Sequence, residues 1–382
     1  MSTEKKEVGI DVGNGITERV KVFDPISPTS KFPICGLPIR VDTYNTCGFG
    51  CEYCFANCRK FMQKNKEFEV ADLGKLRNTI EKVRSGKYSG SNFLYKLISN
   101  GYTWHCGGLS DPFQPAEAKY HITKKFVDIT NEYGIHVLFS TKTDNLYGAD
   151  VKPENASFQL SITNLDNNKG LEPCVPPIEN RIALYRELKK EGFKVGIRIQ
   201  PFIPGITSLD IVKLFHDADN FTLEGLKLVP QNKEHREYIT DLLGIDAKEF
   251  TMMGLLNLKP DIRKQMYKPF IDYFEENNIP FSIADNDMHN IGTNLCCCGD
   301  RLVKKATTFN STYLSKTYGK WTKDDVDAEL KRCGVCDCKC SGCFSSNRVE
   351  GCVTVQDFYD KRYDNPKRIF SPEYILDFKD SK

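Results

Sequence analysis

Three cysteines near the start of the sequence have a spacing suited to iron. Cys47, Cys51 and Cys54 form a C-x₃-C-x₂-C pattern. Thiolates are soft ligands that bind iron–sulfur clusters, so these three could hold three irons of a [4Fe–4S] cube and leave one iron open to a small molecule. Gly48 and Gly50 allow the loop to curl with its backbone N–H groups toward the cluster. Zinc sites usually pair two separated C-x₂-C motifs, so a zinc or structural role is the weaker alternative.

The C-terminal third of the sequence is also rich in thiols, with nine of the sixteen cysteines. The candidate ligands of an auxiliary cluster there are Cys298, Cys333, Cys336, Cys338, Cys340 and Cys343. Their close spacing resembles ferredoxin-type ligand runs more than zinc fingers, whose ligand pairs are separated by longer loops. We therefore predict at least one auxiliary [4Fe–4S] cluster, with zinc and unliganded thiols as alternatives.

The composition is that of an ordinary soluble protein. Hydrophobic residues make up 40% and charged residues 27% of its 382 residues. The charged first residues are not followed by an apolar segment of signal-peptide length. No stretch has the ~20 apolar residues of a membrane span. Many cysteines without a secretion signal favour metal ligands in the cytoplasm and no membrane partner. A net charge of +2 gives no support for extended nucleic-acid binding and does not exclude a local basic groove.

The middle of the sequence alternates β-rich runs with amphipathic segments, which is the pattern of a parallel sheet covered by helices. The predicted strands are Ile39–Tyr44, Tyr102–Cys106, Ile135–Ser140, Ser157–Thr163, Lys194–Phe202, Phe221–Leu228 and Pro280–Ala284. The predicted helices are Ala116–Tyr133, Ile178–Glu191 and Leu209–Ala218. This alternation predicts an α/β fold with a partial (β/α)6-type barrel, whose functional residues lie at the C-terminal ends of the strands.

The composition changes along the sequence and divides it into three predicted regions. These are an N-terminal extension at 1–34, the partial barrel at 35–285 and a cysteine-rich C-terminal region at 286–382. Within the first, Gly9–Asp24 is predicted to form a hairpin turn, and a phosphate loop is the alternative. Gln231–Glu276 is predicted to be helical, as an insertion or a cap on the substrate side.

Polar residues follow the predicted strands. Gly107 and Gly108 permit close backbone approach to a ligand, and Ser110 and Asp111 add a hydroxyl and a carboxylate suited to an ammonium group. The alternative is a tight turn that Asp111 stabilises. Lys142 lies at the end of the next predicted strand, where its ammonium could bind a carboxylate or ribose of a ligand. The alternative is a solvent-exposed lysine.

Two later strands carry further candidates. Arg198 shares a strand face with Gly196 and Gln200, and in the interior of a barrel it needs an anionic partner such as Glu172 or a ligand carboxylate. An exposed strand face is the alternative. Ser161 and Thr163 share one face of their strand and are candidates for the pocket wall. The alternative is a purely structural role.

The cysteine pattern, with Tyr53 directly before its third cysteine, resembles that of the radical S-adenosylmethionine (SAM) superfamily. Further motifs occur in order within residues 35–230: Pro38–Tyr44, Gly107–Glu117, Ser140–Asp144, Leu160–Thr163, Leu171–Pro173 with Arg181, and Arg198–Gly205. Together they resemble the spore photoproduct lyase family and its DNA repair photolyase-like relatives. The expected fold is then a radical SAM barrel.

The resemblance implies a chemistry. The open iron would bind the amino and carboxylate groups of SAM, and one electron would split SAM into methionine and a 5′-deoxyadenosyl radical that abstracts hydrogen from a nucleobase or nucleotide. An electron donor such as flavodoxin or ferredoxin would be a partner. The candidate cofactor-binding residues are Tyr53, Gly107, Gly108, Ser110, Asp111, Lys142, Ser161 and Arg198.

Two features bear on which reaction is expected. Spore photoproduct lyases have no auxiliary cluster, so the C-terminal cysteines favour an alternative radical SAM modification of a peptide or small molecule; a non-enzymatic iron–sulfur protein is a third class. The family carries a hydrogen-donating cysteine close to the position of Cys106, which lies two residues early, so Cys106 is a candidate catalytic thiol. The alternative is a small hydrophobe packed in the core.

Overall fold

The structure is a computed structural model that describes residues 6–29, 35–56, 67–88, 92–167, 169–253, 255–285 and 287–307. The predicted auxiliary ligands Cys333, Cys336, Cys338, Cys340 and Cys343 therefore lie outside the described residues. Within the part that is described, no helix has both the length and the apolar character needed to cross a membrane.

Strands and helices alternate through the described residues. The strands are β1 (Glu7–Asp11), β2 (Thr17–Phe23), β3 (Ile26–Pro28), β4 (Ile39–Val41), β5 (Glu69–Ala71), β6 (Trp104–Cys106), β7 (Val137–Thr141), β8 (Ala156–Ser161), β9 (Lys194–Phe202), β10 (Asn220–Gly225), β11 (Lys227–Leu228), β12 (Phe250–Met253), β13 (Leu255–Leu258) and β14 (Phe281–Ile283). The helices are α1 (Leu73–Arg84), α2 (Phe93–Ser99), α3 (Glu117–Tyr120), α4 (Ile122–Glu132), α5 (Ile178–Lys190), α6 (Asp210–Leu214), α7 (Lys233–Leu243) and α8 (Pro260–Glu276).

The largest sheet that the described residues form has eight strands in the order β14-β10-β9-β8-β7-β6-β4-β3. Its strands from β4 to β14 pair in parallel, and β3 is antiparallel at one edge. Helices lie in most of the connections between successive parallel strands, whereas β7 and β8 are joined by residues 142–155, which form no helix. The predicted α/β fold with a partial barrel is confirmed.

The two faces of this sheet differ in chemistry. On the helix side, Phe158, Leu160, Val195 and Ile197 pack into the main hydrophobic core with residues of the helices. On the opposite face, which we call the inner face, the same strands present small or polar residues such as Gln159. Because side chains alternate along a strand, this pattern lines the interior of the partial barrel with polar groups.

Residues 296–302 lie across the inner face near the N-terminal ends of the strands, whereas Met288 and Ile291 pack in the main hydrophobic core. Leu302 packs with Leu138 of β7, and its carbonyl accepts a hydrogen bond from Ser157. The carbonyl of Cys298 accepts from Nε2 of Gln159 at 3.0 Å. The first described part of the predicted C-terminal region thus packs on the barrel sheet.

Three sequence predictions about single elements are decided by the structure. Gly9–Asp24 contains the antiparallel hairpin β1–β2, as predicted. The predicted helix Ala116–Tyr133 is two helices, because His121 has a left-handed backbone (φ 51°) and the carboxylate of Glu117 accepts the N–H groups that begin α4. Gln231–Glu276 is not all helical: its middle forms β12 and β13, which pair with each other and with β11.

Candidate functional site

The three cysteines of the first motif lie on one loop that follows β4, at the C-terminal edge of the parallel sheet. All three thiols are unpaired and partly exposed. Burial, as the main cause, raises the pKa of Cys47 to about 11 and that of Cys51 to about 12, so a bound cation is needed to hold them as thiolates. Within the described ranges, no three His, Cys, Asp or Glu side chains converge on a single metal ion. Three thiols on one loop could each bind one iron of a cluster, and this assignment stays a prediction.

The loop is fixed by hydrogen bonds from neighbouring segments. Gln114 is fully buried; its Oε1 accepts from the N–H of Gly48 at 2.7 Å, and its Nε2 donates to the carbonyl of Thr46 at 2.6 Å. Gly50 has a positive φ of 63°, a conformation that favours glycine. The N–H of Glu52 donates to the carbonyl of Leu171 at 2.9 Å. The spacing of the cysteines is thus held by the residues around them.

A buried ionic network lies against the same loop. Tyr53 donates a hydrogen bond to Glu172, and Nζ of Lys142 donates to Oε1 of Glu172 at 2.7 Å. Arg181 lies 3.8 Å from the other oxygen of this carboxylate. Burial acts to raise the pKa of Glu172, but the charges of Lys142 and Arg181 outweigh it and hold that pKa below its usual value. Glu172 therefore stays ionised and fixes Lys142 over the Tyr53 ring, 5.5 Å from its centroid.

Asp111 joins the ends of two strands. Its Oδ1 accepts from Oγ1 of Thr141 at 2.7 Å and from the N–H of Phe113 at 2.9 Å, and its Oδ2 accepts from the N–H of Lys142 at 2.7 Å. Burial raises the pKa of Asp111 to about 6 in spite of these donors. The hydrogen bond from Phe113 stabilises a tight turn, which is the predicted alternative to a ligand-binding role for Asp111. SAM binding by Asp111 stays a prediction.

The glycines and the serine beside Asp111 are used in packing. A Cβ at Gly107 would clash with the carbonyl oxygen of Ser140, so β6 and β7 approach closely only with glycine there. A Cβ at Gly108 would lie 3.2 Å from Cδ of Arg40. The hydroxyl of Ser110 donates to the carbonyl of Tyr44 at 2.6 Å. Contact of these residues with SAM likewise stays a prediction.

Comparisons with known proteins find partial sequence similarity and a shared fold. No family model matches the chain. An uncharacterized protein of Methanocaldococcus jannaschii is 27% identical over 218 residues, which are 53% of this chain and 73% of that protein. A radical SAM Nα-GlyT isomerase of Pseudomonas phage M6 is 23% identical over 175 residues, 44% of this chain and 33% of the isomerase. The solved structure of spore photoproduct lyase complexed with dinucleoside spore photoproduct superposes with a TM-score of 0.53 and 15% identity, covering 69% of this chain and 80% of that one.

The chain is similar in part of its sequence to a radical SAM protein. The structural likeness shows that it shares the fold of spore photoproduct lyase. Because the chain matches only a third of the length of the phage isomerase, that protein's activity is not transferred as a whole.

Arg198 lies on the inner face of the sheet, and its anionic partner is Glu224. Nη2 of Arg198 donates to Oε2 of Glu224 at 2.7 Å, and Nε donates to Gln200. The expected partner Glu172 is instead paired with Lys142 and Arg181, so that expectation was wrong. Ser161 is the last residue of β8 and is half-buried. Its backbone carbonyl accepts a hydrogen bond from Nη1 of Arg181 at 3.0 Å.

Cys106 is fully buried in the hydrophobic core on the helix side of the sheet, with Trp104. His105, between them in β6, carries the side chain that lies on the inner face, where its Nε2 pairs with Oγ of Ser140 at 2.9 Å. The expected position of Cys106 near the cluster mouth is therefore corrected, because the alternation of the strand directs it to the other face. This placement favours the packing alternative.

We expect Cys106→Ala to lower the stability of the enzyme without diverting its reaction. Removing a buried sulfur leaves a small cavity and costs on the order of 1 kcal/mol. The measurement is the urea midpoint together with the ratio of deoxyadenosine to substrate product. A changed product with an unchanged midpoint would instead support a hydrogen-donating thiol.

Several residues that hold the site were not singled out from the sequence. Gln114 lies inside the Gly107–Glu117 motif, so its place in that motif could have identified it as a site residue. Glu224 becomes a partner of Arg198 only through the parallel pairing of β9 with β10. His235, whose Nε2 lies 2.6 Å from the carbonyl of Glu52, is remote in sequence from the cluster loop. The predicted auxiliary ligand Cys298 is buried, packed with Leu302.

Proposed function

We propose that this enzyme cleaves SAM reductively at a [4Fe–4S] cluster bound by Cys47, Cys51 and Cys54, and that its substrate is a nucleobase or nucleotide. When bound, the cluster supplies the electron that splits SAM into methionine and a 5′-deoxyadenosyl radical, which takes a hydrogen atom from the substrate. The observation that carries the proposal is the set of three unpaired thiols on one loop beside the Lys142–Glu172 pair. A low-potential donor such as flavodoxin or ferredoxin would supply the electron.

The protein's part in this reaction is to position charge. The Lys142 ammonium is 12% exposed and acts to lower the pKa of Cys51, so its charge reaches the cluster loop. Glu172 holds that ammonium and remains ionised beneath it. An ammonium fixed beside the loop of Cys51 would suit the carboxylate of a bound SAM.

The nucleotide class is supported by the solved lyase of the same fold, which holds a dinucleoside spore photoproduct. The name of the phage protein, a radical SAM isomerase, supports the radical chemistry. The cysteine-rich C-terminal region favours the second candidate, modification of a peptide or small molecule with an auxiliary cluster bound by Cys298 and the cysteines beyond it. Salt-dependent binding to oligonucleotides separates the two, because phosphate contacts release counterions.

The test is anaerobic incubation of the reconstituted enzyme with SAM, a reductant and deuterated candidate substrates, followed by mass analysis of deoxyadenosine. Deuterium in deoxyadenosine identifies both the reaction and the substrate. Unlabelled deoxyadenosine from every nucleotide, with label from a peptide, would reject the nucleotide proposal. No deoxyadenosine at all would reject SAM cleavage.

We expect Lys142→Ala to weaken SAM binding. Loss of one charge-assisted hydrogen bond costs on the order of 1.5–3 kcal/mol, which corresponds to roughly ten- to a hundredfold in affinity. The measurement is the equilibrium dissociation constant of SAM for the reconstituted protein, with cluster absorbance checked in parallel. Lys233→Ala is the matched control, because that lysine is 76% exposed on α7. Equal SAM affinity in wild type and Lys142→Ala would show that the SAM carboxylate binds elsewhere.

A further inference from the structure

The side chains of Gln159, Ser140 and His105 form a chain of hydrogen bonds on the inner face, across the neighbouring strands β8, β7 and β6. Nε2 of Gln159 donates to the carbonyl of Cys298 at 3.0 Å, and a carbonyl oxygen can only accept, so the orientation of this amide is fixed. Oε1 of Gln159 therefore faces Ser140, whose hydroxyl donates to it at 3.3 Å. Oγ of Ser140 in turn lies 2.9 Å from Nε2 of His105.

The direction of these hydrogen bonds determines the tautomer of His105. Ser140 donates its single hydroxyl proton to Gln159, so its oxygen can only accept from the imidazole. Nε2 of His105 therefore carries the proton, and Nδ1 carries a lone pair. Nδ1 has no hydrogen-bond partner in the described part of the chain, and it is not a buried atom. It is thus a hydrogen-bond acceptor open to the interior of the partial barrel.

The imidazole of His105 is also neutral. Burial, and next the charge of Arg198, lowers the pKa of His105 to about 4, although Cys297 acts in the opposite direction. At pH 7 the ring therefore has one N–H, which Ser140 accepts, and one acceptor nitrogen. A neutral ring with an open lone pair binds an N–H or O–H group and does not attract an anion. The ligand that fits it is a hydrogen-bond donor.

The surroundings of His105 leave room for such a ligand. Its partner Ser140 is two residues before Lys142, at the C-terminal end of β7, where the functional groups of a barrel lie. A Cβ at Gly108 would lie 3.9 Å from Cε1 of His105, which is ordinary van der Waals contact. Because Cε1 is bonded to both ring nitrogens, a longer side chain at position 108 would crowd the edge of the ring that carries Nδ1. The glycine keeps this edge open.

We propose that Nδ1 of His105 is a specificity-determining acceptor, which binds a ring N–H of the substrate's nucleobase, as in thymine or guanine. This inference rests on the proposed function for the class of substrate, whereas the tautomer of His105 does not depend on it. Ser140 and Gln159 are positioning residues, because they hold the lone pair of the imidazole on Nδ1 without touching the substrate. A site built around an acceptor rejects a ligand that lacks the donor, because the acceptor is then left unpaired.

The experiment measures binding of thymidine and of 2′-deoxyguanosine to the reconstituted full-length protein with SAM present, each against the analogue methylated at its ring N–H. We expect the wild type to bind at least one parent nucleoside roughly three- to tenfold more tightly than its methylated analogue, which is the effect of one hydrogen bond. His105→Phe keeps a planar ring without the acceptor, so this preference should disappear. His216→Phe, at an exposed position, is the control and should keep it.

A second measurement does not depend on the substrate. Nitrogen-15 NMR of the histidine-labelled protein at pH 7 should show the ring of His105 protonated at Nε2 alone. Ser140→Ala removes the acceptor that fixes this tautomer, so the other tautomer should then appear.

Three results would overturn the inference. They are a proton on Nδ1 of His105 in the wild type, a wild type without preference for either parent nucleoside, and a preference that persists in His105→Phe. Failure of the proposed function is seen separately, since the protein would then form no deoxyadenosine from SAM while the tautomer of His105 stays the same.

Discussion

Replacing Cys47, Cys51 and Cys54 together with alanine is expected to reduce deoxyadenosine formation to background and to remove one cluster. The reason is that all three thiols lie on the loop at the C-terminal edge of the sheet, where each would bind one iron. The wild-type protein should hold more than four irons per chain after anaerobic reconstitution, because nine further cysteines occur in the C-terminal third. The measurements are iron content, cluster absorbance and deoxyadenosine yield.

The same variant tests the auxiliary cluster. Iron that remains in the triple variant would be bound by the C-terminal cysteines, and an iron-free triple variant would contradict an auxiliary cluster. Cys174→Ala is the matched control, because this cysteine is free and exposed and lies beside the cluster loop without belonging to the motif. It should keep the full iron content and the full deoxyadenosine yield.

The largest loss of stability is expected from Asp287→Ala. Asp287 accepts two hydrogen bonds from Arg263 of α8, at 2.7 and 2.5 Å, and both side chains are 1% exposed. Removing one partner of a buried ion pair costs up to about 3–5 kcal/mol, and Asp285, whose Oδ1 lies 3.6 Å from Nη1 of Arg263, retains part of the charge compensation. The measurement is the free energy of unfolding in urea, monitored by circular dichroism on anaerobically purified protein.

Two further variants decide the cause of that loss. Asp261→Ala removes a carboxylate that is 89% exposed on the same helix, so it should change the unfolding free energy by less than about 0.5 kcal/mol. The double change Arg263→Met with Asp287→Leu should recover part of the loss, because it removes both charges. A midpoint for Asp287→Ala equal to that of wild type would show that the Arg263–Asp287 ion pair does not stabilise the fold.

Strand identity was predictable where the strands are buried on the helix side. Lys194–Phe202 was predicted with the bounds that the structure gives to β9, since its alternation of apolar and polar residues is unbroken. Short strands such as β4 and β14 were predicted too long. Their predicted ends have no hydrogen-bonded partners on the neighbouring strands, and that pairing cannot be seen in the sequence of one strand. The hairpin β12–β13 was missed, since its pairing with β11 joins segments remote in sequence.

Local sequence determined the chemistry of the cluster loop, because the spacing of Cys47, Cys51 and Cys54 is set within eight residues. The partners of the charged residues depended on the tertiary structure. Which carboxylate faces Arg198 depends on the register of β9 with β10, and that register brings Glu224, not Glu172, to the guanidinium. The face on which Cys106 lies depends likewise on the pleat of β6 within the sheet. Spacing along the chain fixes ligands on one loop, whereas contacts between strands are fixed only when the sheet forms.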